Sequence, residues 1–191
     1  MLWELKTKTP ADWIGVALGD FDAFLVDHAS CERKASAVGM SFVVRYPDRR
    51  EILEPMIQFA REELEHFHQV YKLILQRGLS VWTDEEDAYV NVLMKTVRFG
   101  REERFLDRLL VSSSIEARGT ERMHLVADHL NDETLKNFYR RLARAENQHK
   151  DFFVEMARFY FSPEVIMKRL DEILSVEAEA IQSVPFRAAL H

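Results

Sequence analysis

Apolar residues recur at intervals of three or four along most of the chain, which is the spacing of one face of an α-helix. The first stripe runs through Ile14, Leu18, Phe21, Leu25 and Ala29 and continues to a carboxylate, Glu32. The preceding segment 9–12 combines a capping Thr, a first-turn Pro and an Asp, so we expect the helix to start there. We expect residues 39–46, before a proline, to close or bend it.

The same spacing predicts four further long helices. The second should cover residues 48–76, with Pro55 as an early kink and Gly78 as its stop. Residues 79–100 change in character, and 83–86 resemble the cap of a short helix. Further helices are predicted over 101–130, over 132–161 and from 162 to just before Pro185.

Two helix pairs joined by one long connection are typical of a ferritin-like protein. We therefore predict a single all-α domain over residues 1–191, a four-helix bundle with one long crossover and an extra C-terminal helix. The apolar residues of this last helix, including Leu170 and Ile173, suit packing on the bundle or on a second subunit. Core packing is the commoner use of such a face.

Candidate chemistry lies in a repeated Glu-x-x-His step. Residues three apart on a helix share a face, so one Glu and one His can bind the same metal ion. The chain contains four such pairs: Glu63/His66, Glu65/His68, Glu121/His124 and Glu146/His149. One pair alone is weak support for a metal site.

The ligand pattern of dimetal helix bundles selects two of the four pairs. In these proteins the other two helices each supply a single Glu. Glu32 precedes Glu63 by 31 residues and Glu116 precedes Glu146 by 30, whereas no carboxylate stands at those offsets from Glu65 or Glu121. The pattern predicts a dimetal site and places the other two pairs on the surface or beside the ligands; the six predicted ligands are Glu32, Glu63, His66, Glu116, Glu146 and His149.

Composition limits the possible metal ligands and the expected cellular location of this protein. The net charge is −6, and the single cysteine, Cys31, excludes an internal disulfide and a multi-cysteine metal site. Residues 1–6 lack the apolar region of a signal peptide, and no run approaches the roughly 20 apolar residues of a membrane span. We expect a cytoplasmic protein. Carboxylate and imidazole ligands alone do not separate iron from manganese or zinc.

Four stretches resemble the tRNA hydroxylases that act on 2-methylthio-N6-isopentenyladenosine: residues 27–35 (DHASCERKA), 60–67 (AREELEHF), 115–118 (IEAR) and 142–146 (LARAE). The resemblance implies a ferritin-like bundle with two iron ions on the six ligands above. It also implies molecular oxygen as oxidant and hydroxylation of the isopentenyl group beside the anticodon. One departure stands at Gly119-Thr120-Glu121-Arg122, where we expect Ser-Cys-Glu-Arg.

The resemblance also implies partners. The chain has no nucleotide fingerprint and no cysteine cluster, so electrons should come from a ferredoxin-type reductase system. The acidic chain does not itself indicate tRNA binding, but residues 95–150 carry 12 Lys and Arg against 9 Asp and Glu. A salt-bridged solvated face would have the same pattern. The candidate tRNA contacts are Arg98, Arg101, Arg104, Arg108, Arg140 and Arg141.

Two other functions fit the residues. A ferritin-like ferroxidase or a rubrerythrin-like peroxide scavenger uses a similar site, although the latter would need a Cys-x-x-Cys pair that this chain lacks. A bundle that binds a redox-silent metal, or RNA without turnover, is the third hypothesis. The resemblance, which extends beyond the ligands, favours the hydroxylase.

Overall fold

The predicted helices are present in a computed structural model that describes residues 3–191; Met1 and Leu2, part of the amino-terminal stretch considered above, lie outside the described residues. Within this range the regular structure is entirely helical, as predicted. The helices are α1 (Asp12–Gly19), α2 (Phe21–Arg45), α3 (Arg50–Gln76), α4 (Ala88–Met94), α5 (Arg101–His129), α6 (Glu133–Glu146), α7 (His149–Arg158) and α8 (Pro163–Ser183).

The described chain divides into two compact units. One, here called the α2–α3 unit, comprises Val16–Glu85 and Arg187–Leu190. The other, the α5–α8 unit, comprises the described residues up to Gly15, Glu86–Phe186 and His191. A single domain over the whole chain stays a prediction.

In the α2–α3 unit, the two long helices pack closely side by side. A Cβ atom at Gly39 would lie 2.9 Å from Cδ1 of Phe59 and 3.1 Å from the Met56 carbonyl oxygen. The Ser36 hydroxyl donates to the Ala60 carbonyl at 2.7 Å. Gly39 is therefore a packing residue inside α2. The prediction that the helix closes within residues 39–46 is confirmed, because α2 ends at Arg45 with Tyr46 as its C-cap.

Helix α3 ends where the sequence predicts. Gly78 has a φ of +71°, which a glycine adopts without steric cost. The Leu79 N–H donates to the Ile74 carbonyl at 3.0 Å, and the Gly78 N–H donates to the Leu75 carbonyl at 3.0 Å. These two bonds form a Schellman motif, so the predicted stop at Gly78 is confirmed.

In the α5–α8 unit, α5 contacts α6 and α7, and α8 contacts α4, α5 and α7. The Ser162 hydroxyl accepts from the Val165 N–H and caps α8, with Pro163 in the first turn. The apolar face of α8, including Leu170 and Ile173, is fully buried. The expectation that this helix packs in the core is confirmed.

Three helix boundaries differ from the predictions. The first helix is interrupted, since Asp20 stands between α1 and α2 and its carboxylate accepts from the Ala23 N–H at 3.1 Å. A local Asx cap competes successfully with helix continuation here. The short crossover helix begins at Ala88 with Asp87 as its cap, so residues 83–86 lie outside it.

The predicted helix 132–161 is also two helices. It starts as expected, because the Asp132 carboxylate accepts from the N–H groups of Thr134 and Leu135. It is then interrupted at Asn147 and Gln148, between α6 and α7. Asn is a weak helix former because its side chain competes for backbone hydrogen bonds. Just beyond the turn, the Lys150 carbonyl accepts from the Ser113 hydroxyl of α5.

Among residues 3–191, no helix is both long enough and apolar enough to cross a membrane.

Candidate metal centre

The α2–α3 unit brings three predicted ligands together. Glu32 is on α2, and Glu63 and His66 are on the facing side of α3. The Nδ1 atom of His66 lies 3.7 Å from Oε2 of Glu63 and 3.9 Å from Oε2 of Glu32. All three side chains are buried. Two carboxylates and one imidazole therefore face one another between the two helices.

A fourth buried group, His28, was not selected from the sequence. Its Nε2 atom lies 2.6 Å from Oε1 of Glu32, and its side chain is fully buried. The ring packs against that of Phe24, with centroids 6.1 Å apart. A signal was available, because His28 precedes Glu32 by four residues and so shares its face of α2. A Glu-x-x-His pattern does not include His28, because here the histidine comes first and the spacing is four residues.

The α5–α8 unit contains the second Glu-x-x-His pair. Glu146 is the last residue of α6 and His149 the first of α7, so the pair spans the helix interruption. Their side chains are buried, and His149 Nδ1 lies 2.6 Å from Glu146 Oε2. Glu116 is half-buried on α5. Among the described residues, its carboxylate does not form a group of three ligand atoms within 4.8 Å with this pair.

The two rejected pairs are exposed or used elsewhere. Glu65 and His68 are exposed on α3, and His124 is exposed on α5. Glu121 accepts hydrogen bonds from the backbone N–H of Thr9 at 3.0 Å and from its hydroxyl at 2.7 Å. Thr9 therefore anchors the amino-terminal segment to α5, and its predicted role as the cap of the first helix is wrong.

The buried donors suit a divalent cation. Ionised carboxylates are costly to bury unless they are paired or coordinate a metal. Glu32, Glu63 and Glu146 are at least nine-tenths buried, and the partners described above are imidazoles, which ligate metals in the neutral form. The donor set consists of carboxylates and imidazoles, as in iron, manganese and zinc sites. Each unit thus contains a buried Glu/His pair that is compatible with a metal site.

A buried ion-pair network fixes α5, which carries Glu116. The Arg118 guanidinium makes two bonds to the Glu177 carboxylate of α8, at 2.8 and 3.0 Å, and also contacts Glu121. Burial alone would lower the pKa of Arg118, but these carboxylates raise it. Tyr89 donates to Glu177 at 2.9 Å, and burial together with the Glu177 charge raises the pKa of Tyr89 well above its ordinary value. No local sequence pattern links these residues, which come from α4, α5 and α8.

The candidate tRNA contacts differ in their surroundings. Arg98 donates to the buried Asp107 through its side chain at 2.8 and 2.9 Å. Arg101, Arg140 and Arg141 are exposed, whereas Arg104 and Arg108 are half-buried. Within residues 3–191, no carboxylate forms a salt bridge with Arg104, Arg140 or Arg141. Three of the six arginines therefore carry charge that the described protein does not neutralise in an ion pair.

The chain is similar to proteins with curated names. It is 34% identical to the tRNA 2-(methylsulfanyl)-N(6)-isopentenyladenosine(37) hydroxylase of Pseudomonas putida over 94% of this chain and 87% of that protein. It is 32% identical to the Salmonella typhimurium protein of the same name, over 72% of this chain and half of that longer protein.

One solved structure is similar to this chain along its whole length. It is a Synechococcus protein with aldehyde deformylating oxygenase activity, 33% identical, with a TM-score of 0.94 over 100% of this chain and 96% of that one. The predicted all-α, ferritin-like fold is thereby confirmed. The family model for tRNA-(MS[2]IO[6]A)-hydroxylase (MiaE) matches residues 2–191. From this match over nearly its full length, we conclude that the chain belongs to the MiaE family.

Proposed function

We propose that this chain hydroxylates the isopentenyl group of 2-methylthio-N6-isopentenyladenosine in tRNA, beside the anticodon, with molecular oxygen as the oxidant. Membership of the MiaE family over residues 2–191 carries the proposal. The named activity of the two relatives supports the substrate, and the buried Glu/His pairs support metal-dependent chemistry. A tRNA substrate also agrees with the cytoplasmic location expected from the single cysteine.

The proposed metal ligands are the six residues predicted from the sequence, with the two Glu-x-x-His pairs contributing to one dinuclear iron centre. Two iron ions in this ligand set would supply the reductive activation of oxygen that insertion into a C–H bond of the isopentenyl group requires. Four carboxylates, Glu32, Glu63, Glu116 and Glu146, would balance the charge of two divalent ions. The imidazoles of His66 and His149 would add neutral donors.

The protein's own groups would orient this centre and keep it dry. The His28 imidazole lies 2.6 Å from one oxygen of Glu32 and would orient that carboxylate for a metal. The ligand carboxylates Glu32, Glu63 and Glu146 are buried, so bulk water is displaced from them. Electrons would come from a separate ferredoxin-type reductase system, because the one cysteine, Cys31, cannot form an iron–sulfur site alone.

The test is a single reaction with a defined product. Iron-loaded, chemically reduced protein is mixed with oxygen and tRNA that carries the isopentenyl modification, and the digested RNA is analysed by mass spectrometry. The expected result is a gain of one oxygen atom on the modified nucleoside. Oxygen consumption without this gain would refute the hydroxylase and favour a ferroxidase or peroxide scavenger.

Matched variants test the ligand assignment. Glu63→Ala and Glu116→Ala are expected to abolish the gain and to lower the iron bound per chain. Glu65→Ala removes an exposed carboxylate from the same helix as Glu63 and is expected to change neither quantity. Full iron content in Glu63→Ala would refute the proposed centre, whatever the activity of the wild-type protein.

A second candidate follows from the solved structure. The Synechococcus protein, 33% identical, has aldehyde deformylating oxygenase activity. A parallel reaction with an aldehyde in place of tRNA distinguishes the two, because deformylation releases the formyl carbon and leaves the nucleoside unchanged. We expect no release of the formyl carbon by this chain.

A further inference from the structure

Phe99 is the most exposed large apolar side chain of the described protein, with 91% of its surface accessible. It precedes Gly100, the N-cap residue of α5. An aromatic ring so exposed contributes almost nothing to the core. Solvent-exposed aromatic rings among cationic side chains are the common means by which proteins stack unpaired nucleic-acid bases.

The segment that leads into Phe99 is held in place by hydrogen bonds to α5 and α8. The backbone N–H of Arg98 and its guanidinium both donate to the buried Asp107. Arg169 of α8 donates to Asp107 at 2.8 and 3.0 Å and to the Thr96 carbonyl at 2.7 Å. Because the residues just before Phe99 are anchored, its ring is presented outward by a preorganised segment.

One cation lies over the ring, and two more are close to it in the sequence. The guanidinium carbon of Arg104 lies 5.7 Å from the centre of the Phe99 ring, within cation–π distance. Lys95 and Arg101 are exposed on either side in sequence. Within residues 3–191, neither Lys95 nor Arg104 forms a salt bridge. Four basic residues, Lys95, Arg98, Arg101 and Arg104, thus lie within five residues of Phe99 in the sequence, interleaved with the exposed carboxylates of Glu102 and Glu103.

We propose that Lys95, Phe99, Arg101 and Arg104, here called the Phe99 surface, bind an unpaired nucleotide of tRNA. The base stacks on the exposed ring, and the adjoining phosphates lie against Lys95 and Arg104. This inference rests on the proposed function for the identity of the nucleic acid. The stacked nucleotide is not the one that reacts, because α5 rises by about 22 Å between Arg101 and the proposed ligand Glu116.

The test measures binding separately from chemistry. A full-length tRNA transcript with adenosine beside the anticodon is titrated with metal-free protein, and fluorescence anisotropy reports the Kd. Phe99→Ala is expected to weaken binding by roughly 5- to 100-fold, the usual effect of removing one stacked aromatic ring. Phe99→Trp should retain the affinity, whereas Phe99→Leu should lose it as Phe99→Ala does. Since the ring is exposed, each variant is expected to fold.

Two controls separate base stacking from apolar contact in general and from charge attraction. Phe159→Ala removes another exposed aromatic ring, 55% accessible, from the same unit and should leave the Kd unchanged. Lys95→Gln and Arg104→Gln should each reduce the slope of log K against log salt by about one, whereas Phe99→Ala should not change it. Lys72→Gln, at an exposed position on α3, should leave both quantities unchanged.

Several outcomes would overturn the inference. Wild-type affinity in Phe99→Ala would do so, as would full binding by Phe99→Leu, which would indicate apolar contact without stacking. A change in protein mass by sedimentation on Phe99→Ala would assign the ring to an interface between two copies of the chain. If Phe99→Ala binds normally while wild-type protein hydroxylates tRNA, only the Phe99 surface is refuted. If wild-type protein binds tRNA through Phe99 but adds no oxygen, only the proposed activity is refuted.

Discussion

Nε2 of His28 lies 2.6 Å from Oε1 of Glu32, one helical turn further along α2, and both side chains are buried. A histidine that binds a ligand carboxylate fixes which oxygen faces the metal. If Glu32 is a ligand, His28 is a positioning residue for the centre. Its effect should therefore be seen in metal binding before any turnover is measured.

His28→Ala is expected to lower the iron(II) affinity by about 10- to 100-fold, the usual effect of losing a group that orients a ligand. Anaerobic titration against a competing chelator measures this affinity. His124→Ala, at an exposed position on α5, should bind iron as the wild type does. Unchanged affinity in a folded His28→Ala protein, as judged by circular dichroism, would remove His28 from the centre.

The packing of α2 on α3 predicts that two Gly→Ala substitutions have opposite effects on the free energy of unfolding. At Gly39 a Cβ atom would lie 3.1 Å from the Met56 backbone oxygen, which cannot move without shifting α3. Gly39→Ala is therefore expected to lower the free energy of unfolding by about 1–3 kcal/mol. Gly15→Ala in α1, where no atom lies within 4 Å of the new Cβ, should raise it by roughly 0.5–1 kcal/mol. Urea denaturation measures both; stabilisation by Gly39→Ala would show that the helices separate easily.

A third prediction concerns acid stability. Burial would raise the pKa of Asp107, but hydrogen bonds from Arg98 and Arg169 hold it below its ordinary value. A carboxyl group whose pKa is lowered by folding contributes stability above its unfolded pKa, near 3.9, and this stability is lost as the pH falls through the folded pKa. The wild type should therefore lose stability below about pH 4.

Asp107→Asn removes the charge and leaves two guanidinium groups poorly paired. We expect it to lower the free energy of unfolding at pH 7 by about 3 kcal/mol. The difference between variant and wild type should shrink between about pH 4 and pH 2. Thermal unfolding over this range measures both effects. A pH-independent difference would mean that the carboxylate of Asp107 does not titrate differently on folding.

Most helices could be predicted from the sequence because their apolar periodicity is strong and their capping interactions are local. Gly78 and Ser162 each act through atoms within a few residues, so their effects can be predicted without tertiary structure. The interruptions at Asp20 and Asn147 were missed. At Asp20 a side-chain hydrogen bond competes with helix continuation, and periodicity does not report which of the two prevails. Asn147 is a weak helix former, but a single such residue is often tolerated within a helix, so periodicity does not reveal this interruption either.

The candidate metal site was partly predictable for a similar reason. The spacing rule separated Glu63/His66, which is buried, from Glu65/His68, which is exposed on the same helix. It did not indicate that Glu116 would be only half-buried, nor that Glu121 would bind Thr9. The long-range pair of Arg118 and Glu177 is separated by 59 residues, and no local pattern links them.

Thr120 gives the last prediction, because its hydroxyl is buried without a hydrogen-bond partner among residues 3–191. Ser114, on the same helix, donates to the Leu110 carbonyl at 3.0 Å, whereas Thr120 makes no such bond to the Glu116 carbonyl one turn before it. Thr120→Val keeps the shape and removes the unpaired group, so the metal-free protein should gain about 1 kcal/mol in free energy of unfolding. Ser114→Ala, which removes a paired hydroxyl, should give no gain. Urea denaturation compares the variants with and without bound iron. If the gain in free energy of unfolding disappears in the iron-bound protein, the Thr120 hydroxyl finds its hydrogen-bond partner at the metal centre. If Thr120→Val instead destabilises the metal-free protein, an ordered water already supplies that partner.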